Sequence, residues 1–133
     1  MEIRKMEISD YKSVYNLWLS CKGMGLNDVD DSENGISRFL ERNPETCFVA
    51  VDNDEIIGVI LCGNDGRRGY IYHTAVKPSE RNIGIGTKLV DEAMKAFEKN
   101  ETGNAFWEKK GFILREDLVY RNKQITEMIR IDT

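Results

Sequence analysis

Three runs rich in β-branched and aromatic residues, TCFVAV (Thr46–Val51), IIGVILCG (Ile56–Gly63) and YIYHTAV (Tyr70–Val76), are joined by links of only four and six residues. A parallel pairing needs a crossover of about a dozen residues or more, so links this short leave only the antiparallel arrangement. The first link, DNDE, reads as a tight turn. The second, NDGRRG, carries Asp65-Gly66, a strong hairpin signal. A three-stranded antiparallel meander is therefore the scaffold around which everything else must be arranged.

Helical signals flank the meander. The chain opens with EIRK (Glu2–Lys5), a short strand, then Ser9 as a candidate N-cap and Asp10 in the first turn. Tyr11, Val14, Tyr15, Leu17, Trp18 and Leu19 follow as the apolar face of a helix ending near Cys21. KGMGLNDVDDSENG reads as an acidic loop. Ser32 or Asp31 caps a second helix through Ile36, Phe39 and Leu40, which stops before Pro44. After the meander, Ile85, Leu89, Ala93, Met94 and Phe97 lie at helical spacing. A further short helix is expected around Thr102–Lys110, closed by Gly111, and FILRE and LVYRN read as final strands. The expected class is α/β of the α+β type: one domain over residues 1–133, with a mixed, mostly antiparallel sheet and about four helices.

Charge and composition exclude several functions. A net charge of −4 lacks the basic excess of a dedicated nucleic-acid binder. No apolar run approaches the roughly 18 residues that span a bilayer. The charged start MEIRKMEISDY is no signal peptide, so a cytoplasmic location is expected. Cys21, Cys47 and Cys62 share no CxxC spacing and read as reduced packing thiols. With one histidine beside them they make neither a thiol nucleophile pair of choice nor a metal ligand set.

The stretch VKPSERNIGIGTKL (Val76–Leu89) carries the chemistry. A strand runs into a turn holding Gly84 and Gly86, and then into a helix. Helix N-termini offer unpaired N–H groups and a partial positive charge, and glycines let an anion approach the backbone. Thr87 adds a hydroxyl; Arg81 and Lys88 add positive charge. The combination suits a phosphate or pyrophosphate. It lacks the GxxxxGK[ST] spacing of a P-loop, and it follows a meander instead of opening a βαβ unit as a dinucleotide fingerprint does. The alternative is a glycine turn that only makes a tight strand-to-helix junction.

Val-x-Pro-x-x-Arg-x-x-Gly-x-Gly after a strand resembles the acetyl-CoA pyrophosphate motif of the GNAT superfamily of N-acetyltransferases, and the resemblance covers nearly the whole chain. It extends to the element N-x-x-x-x-A-F-W-E-K-K-G-F beginning at Asn100. It implies acetyl transfer from acetyl-CoA directly to an amine acceptor, small molecule or protein. By that resemblance Arg81, Asn82 and the backbone of Ile83, Gly84, Ile85, Gly86, Thr87 and Lys88 would hold the pyrophosphate. The backbone of Ala75 and Val76 would pair with the pantetheine arm, and Asn100 would bond the arm from its other side. The other reading of the same cradle is a non-catalytic acyl-CoA-binding or regulatory domain.

Five departures stand out. Asn82 replaces a usual glycine, and Ile83 replaces a usual basic residue or glutamine. Trp107 stands where a tyrosine often protonates the leaving thiolate; an indole N–H cannot do that near neutral pH. The third meander strand has no carboxylate to act as base and offers His73 and Tyr70 instead, with an ordered water chain as a further route. His73 has the side-chain type suited to a base at neutral pH. Strand alternation sets Tyr70 and Tyr72 opposite His73 unless a bulge intervenes. Finally, the strand that the family places after the motif helix has no counterpart, since Phe97 is followed at once by EKN. A deletion, an omitted segment, or a homodimer in which a second subunit lends the strand would each account for this. The acidic loop, with Asp28, Asp30, Asp31 and Glu33, is either an attractor for a cationic amine or an ordinary solvated loop.

Overall fold

The short links do force the meander. The computed structural model describes residues 1–98 and 129–131. Its elements are β1 (Glu2–Lys5), a 3-10 turn (Ile8–Asp10), α1 (Tyr11–Ser20), β2 (Leu26–Asn27), α2 (Glu33–Arg42), β3 (Phe48–Asp52), β4 (Glu55–Asn64), β5 (Gly69–Val76), a second 3-10 turn (Pro78–Glu80), α3 (Ile85–Glu98) and β6 (Arg130–Ile131). The main sheet runs β1-β3-β4-β5, every pairing antiparallel. β2 and β6 form a separate antiparallel pair. The acidic stretch is thus not all loop, and β6 is an element that the sequence reading leaves unassigned. The further helix at Thr102–Lys110, both predicted final strands, the missing-strand question, Asn100 and Trp107 lie outside the described residues. Three α-helices stand among those described.

Local chemistry explains the joints. Asp52 pairs with Glu55, leaving a two-residue turn in which Asn53 and Asp54 have φ of 47° and 61°. Positive φ at both positions is the hairpin geometry that follows the strand twist, and Asn and Asp tolerate it. Ser32 caps α2, its Oγ accepting the Gly35 N–H at 3.0 Å, while Asp31 is left for another task. Ser9 does not cap α1. It lies inside the 3-10 turn, where the Asp10 carboxylate accepts the Glu7 N–H at 2.9 Å and two bonds from Arg4 at 2.8 Å. That fork ties β1 to the start of α1.

Each face of the sheet carries its own core. Val14, Leu17 and Trp18 of α1 and Ile36 and Leu40 of α2 pack with Val49, Val59, Leu61 and Ala75. Ile85, Leu89 and Ala93 of α3 pack on the other face with Ala50, Ile60 and Cys62. Leu19 and Met94, both read as apolar-face residues, are exposed, since each falls at the margin of its helix's buried stripe. At Gly58 a Cβ would meet Leu89 Cδ1 at 3.0 Å and Ile85 Cγ2 at 3.1 Å, so the bare backbone of β4 lets α3 lie close. This contact sets the N-terminus of α3 beside the end of β5. No described helix is long and apolar enough to cross a membrane.

Candidate active site

A cleft of about 540 Å³ opens where β5 ends. Its walls are the end of β5 (Thr74, Ala75, Val76), the turn and first residues of α3, and the segment after α1 that begins at Cys21. The Lys77 N–H donates to Ile57 O at 2.8 Å, toward β4. Strand alternation then turns the N–H and C=O of Val76 away from β4. The Val76 carbonyl indeed accepts from Arg81 Nε at 3.0 Å and lies 3.6 Å from the donating Cys21 thiol. The Arg81 head also reaches Cys21 Sγ at 3.4 Å. Arg81 and Cys21 thus occupy the Val76 carbonyl, and among the described residues it is the Val76 N–H that β5 leaves turned to the cleft.

The opposite wall is electropositive by construction. Lys88 N–H donates to Gly84 O at 3.1 Å, closing the first turn of α3. The N–H groups of Ile85, Gly86 and Thr87 therefore have no intrahelical acceptor. Gly84 has φ of 89° and Asn82 φ of 65°, two left-handed residues that bend the chain into this turn. Asparagine is one of the few residues besides glycine that adopts this conformation readily.

Most of the predicted cofactor residues therefore meet in one place: Ala75, Val76, Arg81, Asn82, Gly84, Ile85, Gly86 and Thr87 all line the cleft. Ile83 and Lys88 do not; both are exposed. Sequence reasoning passed over Cys21, Thr74 and Glu80, which also line it. Cys21 carried no signal beyond its isolation, because only the fold brings residue 21 beside residue 81.

His73 lies one residue behind the cleft on the α1/α2 face. A bulge between Leu61 and Cys62 pairs Leu61 with His73 and Cys62 with Ile71, making Tyr72 the extra residue. The predicted opposition of Tyr72 and His73 is thereby lifted. Tyr72 stacks edge-on against Phe39 of α2 at 5.2 Å, and His73 against Trp18 of α1 at 5.2 Å. Tyr70 stands 6.3 Å from Tyr72, exposed and away from the cleft lining. His73 Nε2 is 2.8 Å from Oδ1 of Asp31, which is buried.

The acidic loop turns its carboxylates to its own construction. Asp31 Oδ2 accepts the Asn27 N–H at 2.8 Å, Asp30 accepts from the Asn27 amide at 3.1 Å, and Asp28 accepts the Ile129 N–H at 2.8 Å. The Asp31 carbonyl accepts the Tyr11 hydroxyl at 2.9 Å; burial pushes the Tyr11 phenol up from its ordinary pKa, helped by Tyr15, Glu33 and Asp31. Gly35 is what brings α2 against this loop, since a Cβ there would sit 2.3 Å from Val29 O.

The sequence itself matches the model of the acetyltransferase (GNAT) family over residues 11–112. The chain belongs to the GNAT family of acetyltransferases. An acetyltransferase of Pectobacterium atrosepticum is 37% identical over 95 residues, which cover 71% of this GNAT chain and 66% of the relative. The chain thus spans just under two thirds of that relative's length. Among solved structures, the PaiA N-acetyltransferase of Thermoplasma acidophilum, in complex with coenzyme A, aligns over 97% of this chain and 96% of its own. Its TM-score is 0.62 at 19% identity, a likeness of fold. The NatC complex bound to a Gag peptide and CoA aligns over 76% of this chain and 70% of its own, with a TM-score of 0.57 and 28% identity. The antiparallel sheet with helices on both faces is therefore the GNAT arrangement that the sequence led us to expect.

Proposed function

We propose that this GNAT chain takes acetyl-CoA into the cleft at the end of β5 and transfers the acetyl group directly to an amine. The observation that carries the reading is the convergence of the Val76 N–H, turned from β4 into the cleft, with the N–H groups of Ile85, Gly86 and Thr87 in the first turn of α3. The first suits the amides of a pantetheine arm, the second a pyrophosphate. Arg81 supplies charge on the same side. Coenzyme A bound in two structural neighbours supports the donor class. The NatC neighbour's bound peptide makes a protein N-terminus one acceptor to test beside small amines.

In this reading a neutral amine attacks and gives up a proton as the new bond forms. His73 is assigned as the base, because it is the chain's one histidine and adjoins Thr74 of the cleft wall, whereas Tyr70 stands further back along β5. The new C–N bond forms as the C–S bond breaks, the amine proton passes to His73, and CoA departs as thiolate to be protonated from water. Positioning and N–H donation to the carbonyl supply the rest. The cytoplasm is the compartment proposed.

Calorimetric titration with acetyl-CoA tests the reading, with Arg81→Ala and Thr87→Glu alongside. A glutamate in the first turn favours the helix dipole, by about 0.3–1 kcal/mol. Thr87→Glu should therefore fold normally while its carboxylate competes for the anion site. Its affinity for acetyl-CoA should fall by roughly tenfold or more, about 1.4 kcal/mol. Wild-type protein that fails to bind acetyl-CoA would sink the proposal. Binding without CoA release, across a panel of a polyamine, a free amino acid and a short peptide, would favour a non-catalytic acyl-CoA-binding domain.

A further inference from the structure

Asp31 and His73 are 42 residues apart in sequence, and nothing in the spacing pairs them. The fold gives Asp31 an unusual position. Its side chain is 5% exposed, and both carboxylate oxygens are engaged: Oδ2 by the Asn27 N–H and Oδ1 by His73 Nε2. The backbone is anchored on both sides, by the Tyr11 hydroxyl at the Asp31 carbonyl and by the Ser32 cap of α2. Trp18 meets the His73 ring edge-on, at 61° between planes, and fixes the plane of the imidazole.

An ionised carboxylate can only accept hydrogen bonds. A 2.8 Å contact to Nε2 therefore places the proton of a neutral imidazole on Nε2 and leaves Nδ1 bare. We propose that Asp31 is the positioning residue of His73: it selects the Nε2–H tautomer and so makes Nδ1 the proton-accepting atom in acyl transfer. The proposal rests on the assignment of His73 as base. In the step itself Nδ1 takes the amine proton as the C–N bond forms and the C–S bond breaks. The resulting imidazolium faces the Asp31 carboxylate, which offsets its charge without taking the proton.

The chain has one histidine, so a protein labelled with 15N-histidine gives the tautomer of His73 without assignment. Long-range 1H–15N spectra would be recorded at about pH 8.5, well above the reference histidine pKa of about 6.5. The wild type should show hydrogen on Nε2. Asp31→Asn should reverse this. The Asn27 N–H needs an oxygen, so the amide NH2 takes the place of Oδ1 and donates to Nε2, driving hydrogen to Nδ1. A wild type with hydrogen on Nδ1, or an Asp31→Asn protein with the wild-type tautomer, overturns the proposal. With whichever amine of the panel is turned over, kcat of Asp31→Asn should fall toward that of His73→Ala, with KM for acetyl-CoA unchanged. Full turnover by His73→Ala overturns the catalytic half. The tautomer spectra, which need no acceptor, then tell failure of the base assignment from failure of the control by Asp31.

Discussion

Asn82 shows how one residue can look wrong in sequence and fit in structure. Its φ of 65° lies in the left-handed region, where most residues with a Cβ pay about 1–2 kcal/mol and asparagine or glycine does not. The position therefore demands a backbone conformation, and asparagine meets it. Asn82→Ala should lower the urea midpoint by the equivalent of about 1 kcal/mol, while Asn82→Gly stays close to wild type. Equal losses in both variants would mean that the Asn82 side chain, and not its backbone, is what matters. Ser32 was legible for the same kind of reason. Its capping role depends only on residues three positions away, and the Gly35 N–H lies within that window. The Asp31–His73 contact was not legible, because it depends on where a loop and a strand meet across 42 residues.

At the scale of elements, the links between strands carried the most information. A two-residue turn at Asn53 and Asp54 fixes the β3–β4 register, and the meander follows. The bulge at Tyr72 was hidden, since an extra residue in one strand is defined only against its partner. Its effect is to turn Tyr72 to the face that holds His73, a change that no alternation pattern could announce. The joint between β1 and α1 rests on Arg4 and Asp10. The Arg4 guanidinium holds the Asp10 carboxyl below the usual carboxylate range; burial opposes this, and the Glu7 N–H adds to it. Since the folded pKa lies below the unfolded value of about 3.9, the contribution is complete above that value. It is lost as the pH falls through the folded pKa. Asp10→Asn should accordingly cost about 1–2 kcal/mol at neutral pH, discounted for the solvent-exposed side of Arg4. The difference should shrink as denaturation is repeated toward about pH 2. A deficit that does not change with pH would assign the effect to lost packing instead.

For the whole molecule, the question is whether two cores on opposite faces of one sheet open together. Cys47 sits in the core under α1 and α2, Cys62 in the core under α3, and both are essentially inaccessible. Burial pushes the Cys47 thiol up to about 11 and, with Cys47 nearby, the Cys62 thiol up to about 12, so neither reacts from the closed state. They are also joined through the backbone: Cys47 Sγ donates to the Cys62 carbonyl at 3.3 Å, and Thr46 Oγ1 bonds the same carbonyl. Separating the two faces would require breaking the β3–β4 ladder that both cores share. Thiol labelling at low denaturant, read residue by residue by mass spectrometry, should therefore return one opening free energy for both cysteines, equal to that of global unfolding. Cys21 should label at lower cost. Its contacts at the cleft, to Arg81 and the Val76 carbonyl, can be broken by moving the segment after α1 without disturbing the sheet. A Cys62 that labels well before Cys47 would mean that α3, and with it the N-terminus lining the cleft, can lift from β4 independently. The close seat at Gly58 argues against that. A first turn held to the sheet in this way is already in place before any anion reaches it, and binding then has little ordering cost to meet.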